Sequence, residues 1–120
     1  MSKEQFKVII AGGRDFTNYE LLRTKCNNLL QNKNIVEIVS GTANGADKLG
    51  ERYAIEKGFQ IKRFPAQWTK FGKSAGYKRN AEMADYADAL IAFWNGSSKG
   101  TKHMIDLAKK KNILVRIIKY

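Results

Sequence analysis

The 120 residues predict an α/β protein in which helices cover both faces of a mostly parallel, five-stranded sheet. Two observations lead there. Short β-branched runs alternate with longer stretches whose apolar residues recur at helical spacing, and glycine, proline or small polar residues punctuate the changes. Strand–helix–strand units of this length need crossover connections, which are right-handed and leave consecutive strands parallel.

The elements follow in order. "FKVIIAG" (6–12) is nearly continuous and β-branched, as befits a strand covered on both faces. Between Asn18 and Asn32, the residues Leu21, Leu22, Cys26, Leu29 and Leu30 recur at a helical period, with Thr17 or Asn18 as N-cap. "IVEIVSG" (35–41) is the second strand. Ala46, Leu49, Tyr53 and Ala54 form a second helical stripe that stops at Gly58, a C-terminal glycine. "FQIKRF" (59–64) is the third strand, closed by Pro65, and residues 66–75 read as an irregular loop. "GYKRNAEMADYA" (76–87) is helical through Met83, Tyr86 and Ala87, and "DALIAFW" (88–94) is the fourth strand. Residues 101–111 carry Met104, Ile105, Leu107 and Ala108 on one side before "NILVRIIKY" (112–120) closes the sheet. The expected architecture is one Rossmann-like three-layer sandwich over residues 1–120, within the roughly 100 to 150 residues common for a domain.

Composition narrows the function. Against 11 acidic residues stand 22 lysines and arginines, a net charge of +11 that favours anionic partners: nucleotides, nucleic acids or phosphorylated metabolites. Cys26 is the only cysteine, so an intrachain disulfide is excluded, and a reducing, cytoplasmic setting is expected. "MSKEQFKV" lacks the apolar run of a signal peptide, and no stretch reaches the roughly 20 apolar residues of a membrane span. His103, the only histidine, has no cysteine or acidic partner at ligand spacing, so neither a metal nor a cofactor is expected.

Parallel sheets bind ligands beyond the carboxyl ends of their strands, where the strand order reverses. The loops expected there are "GGRDF" (12–16), "SGTANGAD" (40–47) and "WNGSSKGT" (94–101), all rich in glycine and small polar residues. Two run straight into helix N-termini, where free N–H groups and the helix dipole favour an anion. The candidate ligand residues are therefore Gly12, Gly13, Arg14 and Asp15 in the first loop, Ser40, Gly41, Asn44, Gly45 and Asp47 in the second, and Gly96, Ser98, Gly100 and Thr101 in the third. Short turns use the same residues merely to turn and to cap helices. Arg14 could clamp an anion or pair with Asp15, and Asp47 could take a ribose hydroxyl or only stabilise its helix end. Trp68 in "FPAQW" could stack on a base or lie buried under a loop. Neither GxxxxGK[ST] nor GxGxxG is present.

"AGGRDF", "SGTANGADKLGERYA", "FPAQW" and "GYKRNAEMADYADALIAFWNGSSKGT", in this order and spacing, resemble the small YspA-like branch of the SLOG superfamily. That superfamily also holds the cytokinin-activating phosphoribohydrolases and the DNA-processing DprA proteins. The resemblance implies a Rossmannoid fold that binds a nucleotide or nucleotide-derived molecule, which some members cleave and others only bind. "RNAEM" is similar to the family's RKxxM helix, which implies that Arg79, beside Asn80, lies close to a ligand phosphate or ribose. In the phosphoribohydrolase signature PGGxGTxxE, Gly100 and Thr101 are matched, whereas Met104 stands at the glutamate. The branch's GGARGAD is here "SGTANGAD", with Thr42 and Asn44 in place of glycine and arginine.

Three functions follow as expectations. The first is binding, by sensing or sequestering, of a nucleotide-type small molecule. A nucleotide-processing hydrolase is the alternative, requiring a carboxylate such as Asp15, Asp47 or Glu82 at the reacting carbon. A nucleic-acid binder is the second alternative, with affinity falling steeply with salt. No membrane partner is expected, and self-association through helices is left open.

Overall fold

The computed structural model describes residues 5–120, and the reading of the start over residues 1–4 lies outside them. Five strands, β1 (Phe6–Gly12), β2 (Val36–Ser40), β3 (Gln60–Arg63), β4 (Ala89–Trp94) and β5 (Leu114–Lys119), pair in the order β3-β2-β1-β4-β5. Every neighbouring pair is parallel. The chain walks outward from β1 to β3, then returns across the sheet to β4, so the order reverses between β1 and β4.

Two helices cover one face and two the other. On β1, Val8 and Ile10 meet the helices α1 (Tyr19–Leu30) and α2 (Ala46–Lys57) through Leu22, Cys26, Tyr53 and Ala54. Ile9 and Ala11 point the opposite way, onto α4 (Ala75–Tyr86) and α5 (Lys99–Lys110) through Met83, Ala84, Met104 and Ile105. Val8, Ile9 and Ile10 are all fully buried, which is why β1 reads as a continuous apolar run rather than an alternation. Each such side chain contributes roughly 1.5–3 kcal/mol by leaving water. Burial also pushes the Cys26 thiol up to about 12, so it stays a neutral packing group.

Helix ends obey local chemistry. Asn18 caps α1 by accepting from the Leu21 N–H at 3.0 Å. Gly58 ends α2 in the left-handed conformation, its N–H returned to the helix. Ser98 caps α5. Among the described residues, no helix is long and apolar enough to cross a membrane.

Residues 66–75, expected as an irregular loop, are instead mostly helical: α3 (Trp68–Phe71) passes into a 3₁₀ turn (Gly72–Ser74) and then α4. The Ser74 hydroxyl donates to the Phe71 carbonyl at 2.9 Å and steadies this junction. Neither the short helix nor the turn buries a side chain, so no apolar period marks them in the sequence.

Within α2, Gly50 lies against β1, where an added methyl group would come to 2.8 Å from both Cβ and Cγ2 of Ile10. Alanine normally gains about 1 kcal/mol over glycine in a helix. Here Gly50→Ala is expected to lower stability by up to about 2 kcal/mol, because overpacking costs roughly 1–3 kcal/mol. Urea unfolding reads the sign directly.

Candidate functional site

The reversal between β1 and β4 opens a cleft of about 420 Å³ at the carboxyl ends of the strands. Its walls come from the β1 loop, the start of α2, one face of α4 and the start of α5. Gly12, Gly13, Arg14, Asp15, Asp47 and Asn80 line it, as do Ser98, Gly100 and Thr101 across the gap, and Arg79 reaches in from α4. Gly41, Asn44 and Trp68 line an adjoining cavity of about 270 Å³, which Arg14 and Arg79 share.

Four expected residues do not line either cavity. Ser40 is fully buried beneath the second loop, where its hydroxyl accepts from the Thr42 N–H and donates to Glu51 at 2.6 Å. Gly45 faces the first loop instead of the cleft. Gly96 lies in an exposed turn at φ +92° near the Lys119 ammonium. Glu82 is exposed and outside the lining of both cavities.

The glycines serve internal packing. Gly45, the N-cap of α2, has φ +80°, and a Cβ there would run into the backbone of Gly13 and Arg14. The Ala46 N–H already donates to the Gly13 carbonyl at 3.2 Å, so part of the α2 N-terminus is satisfied by protein. At α5, Ser98 takes up the Thr101 N–H. Positive charge in the cleft therefore rests chiefly on two guanidinium groups.

Among the described residues, neither group is in a salt bridge, although the buried Asp47 carboxylate lies close enough to act on both. Arg79 is half-buried; one of its terminal nitrogens donates to the Gly41 carbonyl, and Nε donates to Asn80 Oδ1 at 3.2 Å. Burial holds the Arg79 pKa below its ordinary value, opposed by the nearby Asp47 charge and reinforced by Arg14. The expected alternative for Arg14, pairing with Asp15, is not formed: Asp15 accepts from the Tyr120 hydroxyl at 2.6 Å. Asn80 bridges the helices, donating to the Gly100 carbonyl at 3.4 Å and meeting His103 Nδ1 at 3.1 Å. Burial lowers the His103 pKa, consistent with a neutral ring that accepts this bond.

Met83 and Met104 form the apolar floor, a role that sequence reasoning had not given them. The signal was present for Met83, which stands four residues after Arg79 and so shares its helix face. Tyr120 was missed as well. Its ring packs 4.7 Å from Phe16, which stacks on Phe93 at 4.9 Å, so the end of the chain braces the first loop.

Asp47 is 5% exposed and accepts from the Ala43 N–H at 3.2 Å. Burial raises its pKa from 3.8 to about 6, against the lowering effects of that N–H and of Arg79. The folded state therefore holds this proton more tightly than the unfolded chain. Its contribution to stability is fully present below about pH 4 and is lost as pH rises through about 6. Asp47→Asn should match the parent near pH 4 and exceed it above pH 7 by on the order of 2 kcal/mol. Denaturant titrations at the two pH values measure this.

The profile of the family described as YspA, cpYpsA-related SLOG matches residues 6–71, more than half of the chain. The Gene 61 protein of Mycobacterium phage D29 is 39% identical over 84 residues, spanning 65% of this chain and 67% of that protein. DNA processing protein A (DprA) from Streptococcus pneumoniae has a similar fold, with a TM-score of 0.76 at 18% identity, over 96% of this chain and 50% of that one. DNA processing protein A from Helicobacter pylori, described for its single-stranded DNA binding mode, gives 0.67 at 21% identity, over 93% and 64%. The chain thus spans only half to just under two thirds of these structural neighbours. By its sequence, the chain belongs to the YspA, cpYpsA-related SLOG family.

Proposed function

We propose that the cleft binds a nucleotide or nucleotide-derived phosphorylated ligand in the cytoplasm, holding its phosphate on Arg14 and Arg79. The observation that carries this reading is the pair of guanidinium groups, supplied by different elements, converging on one cleft with neither held in a salt bridge among the described residues. Guanidinium is suited to phosphate because its donors match the anion's geometry. Ser98, Gly100 and Thr101 face them from the start of α5, and the methionine floor suits an apolar ring.

Single-stranded nucleic acid is the second reading, supported by the +11 charge and by the fold shared with the Helicobacter pylori protein described for that binding. A strand would use the same arginines for its backbone phosphates. Cleavage of the ligand is the remaining alternative. It would have to draw on Asp15 or Asp47, the two carboxylates in the cleft, since Met104 stands at the glutamate of the phosphoribohydrolases.

Thermal shift against a panel of nucleotides is expected to raise Tm for a true ligand, because only the native state binds it. Chromatography of the recovered ligand then separates holding from cutting, and an intact ligand after long incubation removes the hydrolase. Arg79→Ala should weaken binding about 10- to 100-fold, the worth of a charge-assisted hydrogen bond, with little change in Tm. Unchanged affinity would mean that the site lies elsewhere. For the strand, anisotropy with oligonucleotides at rising salt should show a steep loss of affinity, and no binding at low salt rejects that reading.

A further inference from the structure

The cleft has two lobes of different chemistry that meet at the two arginines. Arg14 and Arg79 line both the 420 Å³ lobe and the adjoining 270 Å³ lobe, so a guest spanning them would have its middle beside both cations. The larger lobe ends on the methionine floor. The smaller one is bordered by Thr42, Asn44 and the ring of Trp68.

Two features of the smaller lobe have no use in packing the core. Trp68 is 52% exposed on a helix that buries no side chain. Its ring nevertheless lies next to the waist: a Cβ added at Gly76 would stand 3.7 Å from Trp68 Cη2 and 3.8 Å from an Arg79 terminal nitrogen. Thr42 has φ +65°, a left-handed backbone that a β-branched residue adopts only under strain. A relay through the buried Ser40 and Glu51 holds it there. The Thr42 N–H donates to the Ser40 hydroxyl at 3.1 Å, Ser40 donates to Glu51, and Glu51 pairs with Arg63 at 3.1 Å. The chain thus maintains a strained threonine, at the rim of the lobe that also displays an unpacked tryptophan.

We infer that the cleft takes a two-base ligand, two nucleosides joined through phosphate, with the phosphates at the Arg14–Arg79 waist and one nucleoside in each lobe. Trp68 stacks on the second base, and Thr42 and Asn44 contact its polar edge. This inference rests on the nucleotide reading of the larger lobe. The joined nucleosides are either a free dinucleotide or a step of a single strand.

Calorimetry with four probes tests it: AMP, diadenosine pyrophosphate, a deoxyadenosine dinucleotide and a deoxyadenosine dodecamer. At least one two-base probe is expected to bind about 10-fold or more tighter than AMP, as one added base–aromatic stack allows. Trp68→Ala should abolish that advantage without altering AMP binding, and Trp68→Phe should restore most of it. Thr42→Gly should raise Tm while lowering the preference for two-base probes, a combination that a purely structural threonine would not give. Preference for diadenosine pyrophosphate assigns a free ligand, and equal Trp68 dependence of the dinucleotide and dodecamer assigns a strand. If AMP binds and the two-base probes bind no better, or if Trp68→Ala changes nothing, the second lobe is not a subsite and the nucleotide reading stands. If none of the four binds, the nucleotide reading itself fails.

Discussion

The cleft exists because two loops touch backbone to backbone. The Ala46 N–H donates to the Gly13 carbonyl at 3.2 Å, and Gly45 turns through φ +80° where no side chain fits. This contact seats the start of α2 against the end of β1. Asp47 is thereby buried beneath the second loop, and Arg14 is brought near Arg79, which reaches the Gly41 carbonyl from α4. A close approach of this kind is available only to a residue without Cβ.

Electrostatics then distinguish the cleft from the rest of a basic protein. The cationic surface is dispersed, and part of it is engaged elsewhere: Arg23 pairs with Glu56, Lys102 with Asp106 and Lys111 with Asp85, and Lys119 lies over the Trp94 ring. Exposed pairs of this sort contribute little to stability. Arg79 differs because it is partly desolvated and has only a carbonyl and an amide oxygen as partners. Asp47, buried behind it, has its pKa raised to about 6 by its own desolvation. The total charge thus says less about the cleft than the two arginines that converge on it.

The alternation of strands and helices was legible because period and punctuation are local properties, and Asn18 and Gly58 marked helix ends by chemistry confined to one turn. Residues 66–75 were not, since a short exposed helix leaves no apolar period. The glycine-rich loops pointed to the end of the sheet where the cleft lies, but approach of a ligand is not needed to explain Gly12 and Gly13. Close packing against Phe93, Ala46, Asp15 and Tyr120 demands them. Ser40 looked like a loop hydroxyl and proved to be a buried brace, because burial is a property of the assembled chain.

What the sequence determined by itself was the layer architecture, the parallel sheet and the set of loops that gather at one end. Each follows from side-chain periodicity and turn chemistry within a few residues. Tertiary structure alone decided which polar groups remain unsatisfied after folding. Tyr120 takes Asp15 from across 105 residues, the Gly13 carbonyl takes the Ala46 N–H, and Glu51 takes Ser40. Hydrogen bonds and desolvation depend on what ends up within about 3 Å, a distance that separation along the chain does not encode.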